Sequence, residues 1–195
     1  METQALLALL AFGVVSSFTP GPNNLMLMAS GANFGIARTI PHIFGIVVGF
    51  ALMIVIVGLG LFGLFHAWPT SFTVLKVVSV VYTLWLAWKV ARASAPGTES
   101  ANGKPMSFVQ AAAFQWVNPK AWSMALTAIT LYAPNEQLYS ILLISLVFAL
   151  IGVASTGSWA LMGLSIRHWL SSKRRLTLFN YGMAALLIGS IALAV

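Results

Sequence analysis

An all-α integral membrane protein is the fold class this sequence predicts: six transmembrane helices in a three-plus-three inverted repeat, with the first and fourth broken by proline. Three observations carry that expectation. Hydrophobic residues make up 59% of the 195 and charged residues 7%, with a mean hydropathy of +0.93; soluble domains carry roughly a quarter charged residues. The apolar residues gather in stretches long enough to cross ~30 Å of hydrocarbon at ~1.5 Å per residue. Proline interrupts two of those stretches in corresponding places. Ten Lys and Arg and three acidic residues cannot cover a soluble globule of this size. A water-soluble enzyme, a disordered tail and a nucleic-acid binder are excluded on that ground.

The six stretches run from about Ala5 to Gly31, Ile40 to Phe65, Ser71 to Ala91, Met106 to Tyr132, Leu138 to Ser165 and Leu176 to Val195. They are apolar nearly all round, as a lipid-immersed helix is. They lack the two-residue alternation of a barrel strand. The first stretch has Glu2 and no basic residue ahead of it, and no clear small-residue cleavage site, so it reads as a retained span rather than a signal peptide. Connectors are short, and the longest, from Arg92 to Pro105, is rich in Pro, Gly, Ser and Asn. The chain therefore reads as one transmembrane domain, 1–195, with repeat halves of about 1–92 and 104–195.

Orientation follows from the cations. Arg38 falls after the first span, Lys89, Arg92 and Lys104 around the third loop, and Arg167, Lys173, Arg174 and Arg175 before the sixth span. The alternate loops carry no Lys or Arg. The positive-inside rule puts the basic loops in the cytoplasm and both termini outside it. The SSKRR run reads as this topological signal rather than as a nucleic-acid patch.

Site chemistry is narrowed by composition. Cys and Asp are absent, and the carboxylates are Glu2, Glu99 and Glu136. The histidines, His42, His66 and His168, are too far apart to share a helix face. No metal site or carboxylate acid/base pair is expected, and no cofactor. The glycine pairs Gly45/Gly49 and Gly31/Gly35 let helices approach closely; they read as packing within one subunit, with a homo-oligomer seam as the alternative. Trp68, Trp85, Trp88 and Trp169 read as interface anchors. His42, beside Pro41 at a span edge, reads as solvated, and Lys76 as snorkelling outward.

The breaks carry the functional expectation. Span 1 contains Thr19-Pro20-Gly21-Pro22-Asn23-Asn24, and span 4 contains Gln115-Trp116-Val117-Asn118-Pro119-Lys120. Proline removes a donor, clashes with the preceding turn and pushes its predecessor out of the helical region. Three spans per half make the second half enter from the opposite side, so matching breaks mark an inverted repeat with discontinuous helices. Freed carbonyls and amides in hydrocarbon cost several kcal/mol each unless protein or a polar cavity satisfies them. The half-helix from Pro22 would offer the amides of Asn23, Asn24 and Leu25 to an anion. Lys120, about midway through span 4, has no carboxylate within the spans and costs at least ~2.5 kcal/mol there. Its expected partner is a ligand carboxylate, with backbone carbonyls at Pro119 as the structural alternative. Thr83, Thr127, Thr130, Ser145, Ser155, Thr156 and Ser158 are expected to bond back to their own helices.

With these residues in view, the chain resembles the LysE/RhtB family of amino-acid exporters over nearly its whole length. The resemblance rests on FTPGPNNLMLMASGANFGIARTIPHIFGIVVG, LKVVSVVYTLWLAWKVARAS and FQWVNPKAW. YTLWLAWK and KPMSF look similar to the branch that includes the exporter of cysteine and O-acetylserine. Where the family usually has glycine ahead of the span-3 tyrosine, this chain has Ser79 and Val80. The resemblance implies a multi-pass bacterial inner-membrane exporter of amino acids or their derivatives, driven by a proton or ion gradient. It marks Pro20, Gly21, Pro22, Asn23, Asn24, Asn118, Pro119 and Lys120 as substrate-binding positions. There is no Walker motif, so ATP does not drive it directly. The rival readings are an intramembrane enzyme using Ser123 and Lys120 as a dyad, and a small-solute channel.

Overall fold

A computed structural model describes residues 3–61, 69–92, 104–133, 137–166 and 169–194. The expectations for Glu2, Glu99, Glu136, His66, His168, Trp68 and Arg167, and for the side chain of Lys76, lie outside what is described.

The described residues are helical, with no strand. In chain order they form α1 (Thr3–Phe18), α2 (Pro22–Phe34), α3 (Ile36–Ile56, continued by a π turn, Val57–Leu61), α4 (Pro69–Ala91), α5 (Phe108–Phe114), α6 (Pro119–Tyr132), α7 (Leu138–Ser165) and α8 (Lys173–Ala194). The α7 bounds coincide with the fifth predicted stretch. Ile36–Gly60 and Leu138–Ser165 are each long and apolar enough to cross a membrane, and α1 with α2 meets that test as a pair bent by 54°.

Several helix ends have a local cause. Pro22 opens α2 at a position where its missing N–H costs nothing. Pro119 opens α6 in the same way, and the Asn118 side chain caps it by accepting from the Lys120 amide. Ser107 and Gln110 form a capping box ahead of α5. Gly35, at φ 79°, reverses the chain in one residue between α2 and α3. That tight turn places Arg38 inside α3 rather than in a loop, correcting the sequence expectation.

Helices α2, α3 and α7 form the centre. Two glycines let α2 and α7 touch backbone to backbone: a Cβ on Gly31 would sit 2.0 Å from the Ala160 carbonyl oxygen, and one on Gly163 2.0 Å from that of Met28. Gly45 and Gly49 do the same for α3 against α5, facing Phe108 and Ala112. Gly31, Gly45 and Gly49 thus pack within the subunit, whereas Gly35 serves the turn between α2 and α3. The largest apolar cluster joins Leu9 of α1, Met53 and Ile54 of α3, Trp122 and Ala125 of α6, and Ile144 and Phe148 of α7. Large apolar side chains such as Val15, Val81, Val109 and Leu150 are exposed, the surface a lipid solvent requires.

Candidate functional site

The gap between α1 and α2, residues Thr19 to Gly21, lies beside the junction of α5 and α6. Between α5 and Asn118 the chain tightens into a single 3-10 turn, Gln115–Val117. A cavity of about 60 Å³ connects the two breaks. That is several times the ~10–15 Å³ a cavity needs to admit one water. Gly21, Asn23 and Asn24 line it from the first break, Gln115, Asn118 and Lys120 from the second, and Ser16, Ser17, Ser155 and Thr156 from α1 and α7.

Lys120 reaches across: its ammonium donates to the carbonyl of Thr19. Its recorded partner is therefore a freed carbonyl, but of the opposite break, 101 residues away. One of its three donors is used there. Gly21 leaves room for the approach, since a Cβ at that position would lie 2.7 Å from Lys120 Cδ. The side chains of Asn23 and Gln115 exchange hydrogen bonds, 2.8 Å from Asn23 Nδ2 to Gln115 Oε1 and 3.2 Å from Gln115 Nε2 to Asn23 Oδ1. Gln115 Nε2 also donates to the Ala111 carbonyl at 2.9 Å.

Two carbonyls at the first break, those of Ser17 and Thr19, are bonded by side chains. Asn24 Nδ2 donates to Ser17 O at 2.8 Å and to Thr19 O at 2.9 Å. Ser155 Oγ, from α7, donates to Ser17 O at 2.8 Å. These bonds answer part of the desolvation cost of an interrupted helix, because the carbonyls of Ser17 and Thr19 find partners.

Five of the eight sequence-selected positions line the cavity: Gly21, Asn23, Asn24, Asn118 and Lys120. Pro20, Pro22 and Pro119 shape the breaks without lining it. Two expectations need correction, those for the Leu25 amide and for the serines of α7. The Leu25 amide is not free, because it donates to the Gly21 carbonyl at 3.0 Å, leaving Asn23 and Asn24 to present the amides of α2. Asn118 Oδ1 is engaged as the α6 cap, 3.2 Å from the Lys120 amide. Ser155 and Ser145 bond to Ser17 and Ala51 rather than to their own helix, whereas Thr156 and Ser158 do bond back, at 2.7 Å each.

Sequence reasoning assigned no role in binding to Gln115, Ser16 and Ser17. Gln115 carried a signal, an amide in an apolar run next to a break. The serines of α1 carried none. Ser123 is exposed and does not line the cavity, and Lys120 turns to Thr19. No described residues group as a metal site.

The chain is similar to known transport proteins. The family model described as LysE type translocator matches residues 14–195. A cysteine/O-acetylserine efflux protein of Klebsiella pneumoniae is 31% identical over 192 residues, 96% of this chain and 95% of that one. Proteins of the same description from Salmonella typhimurium and Escherichia coli K12 are 30% and 29% identical over 165 residues, 84% of each chain. No solved structure matches.

Proposed function

Since this chain belongs to the LysE type translocator family, we propose that it is a secondary-active exporter of small amino acids or their derivatives. Cysteine and O-acetylserine are the first candidates, because relatives that match across most of this chain are efflux proteins for those compounds. The setting is the bacterial inner membrane, with both termini outside the cytoplasm and a proton or ion gradient as the driving force. The six helical stretches act as spans of a single domain, related as inverted halves, 1–92 and 104–195. The halves rock about the cavity in alternating access.

One observation supports this reading above the others: both helix breaks open on the same cavity, and the intramembrane lysine of the second break bonds a carbonyl of the first. A substrate carboxylate competes with Thr19 for Lys120 and takes up the Asn23 and Asn24 amides at the positive end of α2. The substrate ammonium meets the amide oxygens of the Asn23 and Gln115 pair, whose mutual bonds give way to it. A zwitterion then replaces contacts that otherwise tie the halves together, so binding and rearrangement are coupled. At about 60 Å³ the cavity is small, so an amino acid enters only once those contacts part.

The test is accumulation of labelled cysteine or O-acetylserine by inside-out membrane vesicles. Vesicles with the protein should accumulate substrate, and a protonophore should abolish the accumulation. Lys120→Ala should remove it while the protein remains in the membrane. Unsaturable, ohmic conductance without accumulation would replace the exporter reading with a channel.

A further inference from the structure

A second cavity, larger than the first at about 280 Å³, lies among α2, α3, α4 and the segment before α5. Its polar lining has two layers. Lys89, Arg92 and Lys104 are exposed at the rim. His42 and Asn33 are buried, at 2% and 4% exposure. Both ring nitrogens of His42 are without a hydrogen-bond partner, and so is Asn33 Oδ1. Asn33 Nδ2 donates to the Ala29 carbonyl at 2.8 Å, which fixes the amide orientation and leaves its oxygen as an acceptor. A buried polar atom without a partner is costly, so the pair marks a place where something polar belongs.

No described residue is a carboxylate. Glu99, the one acidic residue in the sequence between Arg92 and Lys104, could answer at most one of three charges. Lys89 and Arg92 lie over the rings of Trp85 and Trp88, at 4.5 and 4.7 Å. Those contacts orient the cations without consuming their N–H donors. Asn23 at the central cavity and Asn33 here are ten residues apart on α2, or ~15 Å along the axis. That is about half the hydrocarbon thickness, the spacing that would separate a midplane cavity from one at the basic face with α2 along the membrane normal.

We propose that this cavity is a second ligand site, for an oxyanion that carries a hydrogen-bond donor a few atoms away. The rim cations take the oxyanion, while Asn33 Oδ1 and the accepting nitrogen of His42 take the donor. Two sources share that chemistry: an amino acid waiting on the cytoplasmic side, and the glycerol-phosphate headgroup of an anionic lipid. The cytoplasmic placement rests on the exporter reading; the binding chemistry does not.

Equilibrium dialysis of the full-length Lys120→Ala protein in neutral detergent tests it, with glycine, acetate and glycerol 3-phosphate as probes. That background removes the main cation of the central cavity, and loss of efflux is read separately in vesicles, so failure of the exporter reading leaves this result intact. Glycine and glycerol 3-phosphate should bind at least about tenfold more tightly than acetate, which lacks the donor. Adding Lys89→Gln, Arg92→Gln and Lys104→Gln together should weaken glycerol 3-phosphate by about tenfold or more. Lys104→Gln alone, at an exposed position, gives the same direction if the triple variant does not fold. Adding Asn33→Leu should erase the preference for glycine over acetate. Displacement of glycine by short-chain phosphatidylglycerol but not phosphatidylcholine assigns the site to lipid; failure of both to displace it assigns the site to amino acid. Undiminished binding of glycerol 3-phosphate to both charge variants, or equal binding of glycine and acetate before Asn33 is changed, overturns the proposal.

Discussion

Replacing Gly21 with alanine should reduce export sharply without unfolding the protein. The backbone at Gly21 is extended, φ −173° and ψ 176°, a conformation any residue adopts, so alanine meets no strain there. What it meets is Lys120. The new Cβ would stand 2.7 Å from Cδ and 3.2 Å from Nζ, against the 3.4 Å at which ordinary contact begins. The lysine must therefore withdraw by about 0.7 Å or more. It can do so because it is a flexible side chain, which confines the damage to the site. The displaced ammonium then no longer stands where a substrate carboxylate would meet it, and a lost charge-assisted bond of ~1.5–3 kcal/mol is roughly ten- to a hundredfold in transport at ~1.4 kcal/mol per decade. The assay is vesicle accumulation normalised to membrane-inserted protein, with the melting temperature in detergent read in parallel. Gly31→Ala supplies the contrast. Its Cβ would press 2.0 Å from the Ala160 carbonyl oxygen, and a backbone cannot step aside, so that variant should fail to accumulate as folded protein. Wild-type export by Gly21→Ala would refute the placement of Lys120 and with it the bridge between the breaks.

Other perturbations separate site from scaffold. Gly163→Ala should behave like Gly31→Ala, since its Cβ meets the Met28 carbonyl oxygen at 2.0 Å; a stable, well-expressed variant would contradict the α2–α7 contact. Ser155→Ala removes one donor to Ser17 O and should lower stability by ~1 kcal/mol, visible as a lower melting temperature. Gln115→Leu breaks the amide pair with Asn23 and should impair accumulation more than Ser107→Ala. Ser107→Ala removes only the capping box of α5, costing ~1 kcal/mol of stability and leaving accumulation within about twofold of wild type. Equal transport by those two variants would remove Gln115 from the site.

Much of the molecule was legible in the sequence because its causes are local. Leu138–Ser165 is helical and apolar because backbone groups in an oily solvent bond within their own segment. Pro22 and Pro119 begin helices because their rings forbid the bond that would continue one from behind. That Lys120 needed a special partner also followed from its own charge. Which partner it takes did not: the Thr19 carbonyl is 101 residues away, and Asn23 meets Gln115 across 92. His42 shows the same limit from the other side. Beside Pro41 it read as a solvated edge residue, yet the single-residue turn at Gly35 starts α3 earlier and the bundle buries the ring. Such pairings are set by how α1, α2, α5 and α7 pack, and packing depends on glycine-sized contacts summed over distant segments. The chain thus wrote its own helices and interruptions through short-range sterics and solvation. Only the assembled bundle decided which freed groups face one another, because that depends on distances between segments that are remote along the chain.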